Sequence, residues 1–219
     1  MTDTATAVGA SIFCAASVMA LIAAEWRGDR RARRWAKIAA ASGFLMVAVA
    51  CGAPGGDYGR RILIGLAFGA AGDLALLGHG AGPLAAGMGL FACGHVSYLA
   101  ACAVRVAPDE WVRAWAAAPV LLALGVLRWL WPYLGAFRVP VVCYMALFCA
   151  TVTAAWSPLL TGAAPLGSSL LLATGVTSFF FSDVAVARQR FVQQTPWNKT
   201  WGLPLYFGGQ LLIAWSAAS

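Results

Sequence analysis

Charge is what this sequence has least of. Of its 219 residues, 11% are Asp, Glu, Lys or Arg, and only eight are acidic. A soluble domain carries about 25% charged residues. Hydrophobic residues make up 61%, and the mean hydropathy is +0.77. The shortage excludes an ordinary soluble chain and leaves no stretch for a separate soluble domain. Residues 1–219 read as a single integral membrane domain, all-α and polytopic. Histidine is nearly missing, with only His79 and His95. Zinc hydrolysis wants three His or His-plus-carboxylate ligands, and no such spacing occurs, so no metal and no other cofactor are expected. There is no GxSxG elbow, no P-loop, no GxGxxG after a strand and no Cys–His pair of telling spacing. The six cysteines, Cys14, Cys51, Cys93, Cys102, Cys143 and Cys149, form no CxxC. They read as small buried apolar residues. The N-terminal stretch lacks a basic n-region, so the first apolar segment is expected to stay as a span.

What charge there is leans basic, with a net +7. In a soluble protein that would suggest nucleic acid. Here the basic residues sit in short loops, as orientation in a membrane requires, so no nucleic-acid partner is expected and anionic lipid is the natural contact. Eight spans are predicted, about Val8–Trp26, Trp35–Ala53, Ile62–Gly78, Pro83–Val104, Ala114–Trp131, Phe137–Trp156, Ser168–Ala187 and Trp201–Ser216. Each has roughly the 20 apolar residues that a hydrocarbon core demands. The loops after odd-numbered spans, counted with the flanking span residues Lys37, Arg128 and Arg138, hold 11 Lys and Arg, and the opposite side holds 4. The positive-inside rule then puts both termini on the non-cytoplasmic side, with the Arg27–Arg34 cluster inside, and a bacterial inner membrane is the expected location. Most of the tryptophans fall near span ends, as interfacial anchors should.

Against this apolar background a few polar residues stand out. Asp73 lies in the third span and Asp183 in the seventh. A carboxylate at a helix centre in hydrocarbon costs roughly 2.5–3.5 kcal/mol, so such a group usually faces a partner or a wet cavity. Lys37, His95, Tyr98, Tyr144, Tyr206 and Gln210 lie in neighbouring spans. With the predicted orientation they converge on the cytoplasmic half of the bilayer, which argues for one shared pocket. Each also has a plainer reading. Either aspartate could pair with Lys37 or an arginine and simply lock helices together. Lys37 could snorkel. His95 and the tyrosines could be packing residues, and His79 is expected in a loop. The spacing of Gly72-Asp73 from His95 and Tyr98, set beside Ser182-Asp183 and its followers Tyr206 and Gln210, hints at a parallel four-plus-four repeat, with chance similarity as the alternative.

Two carboxylates without a metal suggest acid–base chemistry of the glycosidase kind. One carboxyl in apolar surroundings stays protonated as general acid, while the other stays ionised, stabilises an oxocarbenium ion and activates water. A vinyl ether suits such a site, because protonation at carbon yields that cation. A carrier or lipid-binding protein that uses the aspartates for protons or a head group is the alternative. A structural or sensory bundle is the third reading.

At these residues the chain resembles the YhhN family of membrane proteins, which includes lysoplasmalogenases. The stretches that carry the likeness are AAGDLALLG with FACGHVSYL, GVTSFFFSDVAVARQRF, LYFGGQLLIAWS and VPVVCYMALFCATVTAAW. Lys37 is followed by Ile38, where the family usually has Pro. The resemblance implies eight helices and hydrolysis of the vinyl ether bond of a lysophospholipid substrate, lysoplasmenylcholine or lysoplasmenylethanolamine. The products would be a fatty aldehyde and the glycerophospho-alcohol. It implies Asp73 and Asp183 as the acid–base pair. Lys37, His95, Tyr98, Tyr144, Ser182, Tyr206 and Gln210 would line the pocket, with Lys37 or a loop arginine near the phosphate. The oligomeric state does not follow from the sequence.

Overall fold

A computed structural model describes residues 3–78, 80–111 and 114–218; His79 lies outside the described residues. Among them the chain forms eight α-helices and no strand: α1 (Thr4–Arg27), α2 (Arg30–Ala50), α3 (Asp57–Ala75), α4 (Ala81–Arg105), α5 (Ala117–Leu130), α6 (Arg138–Thr161), α7 (Leu166–Ala187) and α8 (Pro196–Trp215). The ends follow local chemistry. Gly28 closes α1 in the left-handed region at φ 67°, where a side chain would be strained. The next residue, Asp29, caps α2 by accepting from the Arg31 and Ala32 amides. Two residues thus turn the chain between two long helices.

α1 with α2, α3 with α4, and α7 with α8 pack as antiparallel pairs; α8 also touches α1, α2 and α3, and α5 stands at the edge against α6. Large apolar side chains such as Ile12, Met19, Leu121 and Val139 point outward and are largely exposed. That inverted surface suits hydrocarbon. Four helical stretches are long and apolar enough to cross a membrane, Thr4–Arg27, Ala81–Arg105, Gly135–Thr161 and Leu166–Val192, and Ala117–Tyr133 is a shorter apolar helix. The expectation of eight such spans is therefore corrected in part: α2, α3 and α8 are helices, but they carry the Arg30–Lys37 run, the Asp57, Arg60, Arg61 and Asp73 charges, and Asn198, Lys199 and Gln210. These three helices deliver Lys37, Asp73, Tyr206 and Gln210 to the site described below, and the apolar α4, α6 and α7 deliver His95, Tyr98, Tyr144 and Asp183.

Several boundaries also differ: α1 and α2 start four and five residues before the expected spans, and α6 runs five residues beyond, to Thr161. The polar stretch after α7, expected as a loop, continues as a π-helical turn over Arg188–Val192 before α8 starts at Pro196. Asp57–Arg61, expected in a turn, is the first turn of α3. The cysteines are all free; Cys14, Cys51 and Cys102 are buried, but Cys93 and Cys143 are exposed on outward helix faces. Outside a membrane-type bundle a small apolar residue has no need to be inside.

Close helix approach is set by glycine. A Cβ on Gly175 would stand 2.8 Å from the Gly209 carbonyl oxygen, and one on Gly209 would stand 2.7 Å from that of Gly175. Backbone meets backbone between α7 and α8, as small-residue packing in membranes allows. Neither side can yield by rotating a side chain. Gly209→Ala should therefore destabilise by about 1–3 kcal/mol, as overpacking does. Gly208→Ala, with nothing within 4 Å of its Cβ, should not. Thermal unfolding of the detergent-solubilised variants checks this, and equal melting temperatures would refute it.

Candidate functional site

The polar groups meet at one end of the bundle. Lys37 stands in the second turn of α2 and Asp73 in the last turn of α3. The helices run antiparallel, so the two reach the same depth. Lys37 Nζ lies 2.9 Å from Asp73 Oδ1, and both residues are buried at 8% and 3% exposure. Asp73 is thus one turn from a helix end rather than at a helix centre. A carboxylate at a helix C-terminus meets the negative end of the macrodipole. Two cations offset this: Lys37 itself, and Arg190, which donates to the Leu76 carbonyl just past α3 at 3.2 Å. The Tyr206 hydroxyl of α8 faces the Asp73 carboxylate without reaching hydrogen-bond geometry. Asp73 Oδ2, Tyr206 Oη and Gln210 Nε2 are buried and have no protein partner. Gly69 leaves the space beside them: a Cβ there would come within 3.0 Å of Gln210 Nε2 and 3.2 Å of Tyr206 Oη.

Asp183 has different company. It accepts a hydrogen bond from the Tyr144 hydroxyl at 2.8 Å, and that hydroxyl lies 3.4 Å from His95 Nε2. No cation is bonded to it among the described residues. His95 is wholly buried, stacked on Phe179 at 5.0 Å and against Phe148 at 4.4 Å, with Nδ1 unpartnered. The two aspartates therefore differ: one is paired to an ammonium, the other to a neutral hydroxyl.

Both aspartates line one open cleft of about 570 Å³, together with Lys37, Ser182 and Tyr206. Ser182 spends its hydroxyl on the Phe179 carbonyl at 2.8 Å, so it shapes the wall more than it offers a donor. The Tyr98 hydroxyl donates to Gln210 Oε1 at 2.8 Å, and both residues are fully buried behind the cleft. Tyr144 instead lines a second, apolar cleft of about 670 Å³ with Leu130, Val141, Met145 and Phe148. Asp183, Arg190, Leu76, Phe91 and Val186 border both clefts. A polar chamber and a greasy chamber thus adjoin at Asp183.

The polar chamber holds residues that sequence reasoning left in a loop: Gln189, Arg190, Asn198 and Lys199. Arg190 follows Asp183 by seven residues, a spacing that shares a helix face only if the helix continues, and the π-turn supplies that continuation. Arg188 turns away, donating to Asn198 Oδ1 at 3.0 Å. Lys199 is held 3.9 Å from Glu25, which lies at the same distance from Arg33. Among the described residues no group of three or more His, Cys, Asp and Glu is arranged to hold a metal ion.

The YhhN family matches residues 32–217. Two relatives carry the name lysoplasmalogenase TMEM86A. The Bos taurus protein is 33% identical over 168 residues, 72% of this chain and 65% of its own length. The Homo sapiens protein is 31% identical over 161 residues, again 72% and 65%. The chain thus spans about 65% of the length of these curated relatives. No solved structure matches the chain. The family match takes in Lys37, both aspartates, and every tyrosine and glutamine of the two chambers, and on that ground the chain belongs to the YhhN family of membrane proteins.

Proposed function

We propose that this protein is an integral membrane hydrolase that cleaves the vinyl ether bond of a lysoplasmalogen. The observation that carries the reading is the unlike pair of carboxylates in one polar cleft that adjoins an apolar one at Asp183. The family membership and the names of two relatives support it. The phosphate would lie near Lys199 and Arg190, and the alkenyl chain would enter the apolar cleft, leaving the vinyl ether beside Asp183. Asp183, without a cation, carries the proton and delivers it to the alkenyl carbon beta to the ether oxygen. The electron pair of the double bond forms the new C–H bond, and an oxocarbenium ion remains. Asp73, kept ionised by Lys37, stabilises that cation and takes a proton from the attacking water. The hemiacetal then collapses to a fatty aldehyde and the glycerophospho-alcohol, its hydroxyl proton passing to the departing oxygen, and the proton on Asp73 returns to Asp183 through solvent, so one water is consumed and both carboxyls are reset. Tyr144 holds the Asp183 carboxylate once the proton has left. The basic end of the bundle, with Arg27–Arg34, Arg188 and Arg190, would face the cytoplasm and both termini the other side, in a bacterial inner membrane.

The test is turnover in D2O. Purified protein is incubated with lysoplasmenylcholine and with lysoplasmenylethanolamine, and the aldehyde is trapped by reduction. Proton transfer to carbon should leave one deuterium on the carbon next to the former carbonyl. Aldehyde without that deuterium would overturn the mechanism. No aldehyde from folded protein would overturn the hydrolase and favour a carrier that uses the same aspartates.

A further inference from the structure

A third cleft, of about 960 Å³, runs between the N-terminal half of α5, the C-terminal half of α6 and the middle of α7. It is lined by Leu122, Val152, Trp156 and Thr177 among others. Its polar atoms are already spent. Trp156 Nε1 donates to Thr177 Oγ1 at 3.0 Å, and the Thr177 and Thr153 hydroxyls donate to carbonyls of their own helices. Nothing in these bonds calls for a polar ligand. Its register is informative. Along α6 the apolar chamber beside Asp183 takes Val141 to Phe148, and the third cleft takes Val152 to Leu160. Along α5 the same division falls between Val126 and Leu122. The two are thus successive segments of one three-helix groove, and Phe180 is the residue that borders both. Phe180 is 3% exposed and packs edge-on against Phe148 at 5.2 Å.

We infer that this groove, from Asp183 past Phe180, holds the hydrocarbon chain of the lipid whose ether bond lies at Asp183, and that Phe180 is the gate that long chains must pass. The inference rests on the hydrolase reading for its substrate. Length supports it. The ether at Asp183 is level with Tyr144, which bonds that carboxylate, and at about 1.5 Å per helical residue Tyr144 to Phe148 spans only about 6 Å, while Tyr144 to Trp156 spans about 18 Å. A chain that fills one leaflet reaches about half of the 30 Å core, roughly 15 Å. A chain of a few carbons fits below Phe180, but a longer one must pass it. Continuity supports it too, since the near segment opens onto the polar cleft at Asp183 and the far one ends among Trp115 and Trp156. Methylene groups in an apolar site discriminate by about tenfold or more each when a wall blocks them.

Two readouts test this. In the first, kcat/KM is measured for lysoplasmenylethanolamines with 4-, 8- and 16-carbon alkenyl chains. Phe180→Ala should raise the 16-to-4 carbon ratio about tenfold. Leu122→Trp, on a partly lipid-facing position that fills the far segment, should lower that ratio by a similar factor. Unchanged ratios in both variants would overturn the inference. The second readout needs no turnover. An alkyl ether lysophospholipid, which lacks the vinyl group, carries a diazirine at the end of a 16-carbon chain. On irradiation it should label Val152, Trp156 or Thr177, and Leu122→Trp should abolish that label. Labelling confined to outward residues such as Leu121 and Val139 would overturn the groove. Label inside the groove without any hydrolysis would leave the chain site standing and sink the hydrolase reading instead.

Discussion

Asp183→Asn is expected to abolish aldehyde release, by about 10³-fold or more in kcat, with the melting temperature unchanged. General acid–base groups contribute about 10²–10⁴ each. Asn keeps the shape and still offers an oxygen to the Tyr144 hydroxyl, whose bond to Asp183 is 2.8 Å. What it loses is the transferable proton. No cation loses its counter-charge, since none is bonded to Asp183 among the described residues. The comparison is turnover with lysoplasmenylethanolamine beside thermal unfolding in the same detergent. A loss of only a few fold would remove Asp183 from the chemistry. A collapse of stability with lost activity would favour the bracing role instead.

Lys37→Met should produce the opposite signature. Its partner Asp73 is 3% exposed and has one oxygen already without a protein partner. Removing the ammonium 2.9 Å away leaves a buried carboxylate unpaired. Breaking one side of a buried pair costs about 3–5 kcal/mol, whereas removing both charges is often neutral. Lys37→Met should therefore unfold far below the native protein, and Lys37→Met with Asp73→Asn should recover most of the loss while remaining inactive. Size-exclusion profiles after a heat step give the ranking. If Lys37 merely snorkelled to the interface, the single variant would be as stable as the native chain, and the pair would have no energetic meaning.

The same two residues show what a sequence can and cannot reveal. A lysine and an aspartate 36 positions apart were both visible as polar intrusions, and pairing was one of several readings open for each. The geometry selects it, because α2 and α3 are antiparallel and present their polar residues at one depth. Arg190 and Lys199 were hidden for another reason. Gln, Arg and Asn in RQRFVQQTPWNK look like loop composition, and nothing local says that α7 runs on as a π-turn. His95, Tyr98 and Gln210 were visible as polar but not as lying behind the wall. Whether a helical residue faces a chamber or the next helix depends on rotation about the helix axis, and α4 and the second half of α8 are apolar nearly all round, so no stripe marks the inner face.

The existence and order of the eight helices were determined by sequence alone, because apolar length acts along the chain, while several of their limits lay two to five residues from the expected ones. The presence of two costly carboxylates was also written there. Only the tertiary structure decided that Asp73 meets an ammonium while Asp183 meets a hydroxyl, and that a polar and an apolar chamber adjoin at Asp183. Those partners come from distant helices, and contacts such as Gly175 against Gly209 set how closely and at what rotation those helices pack.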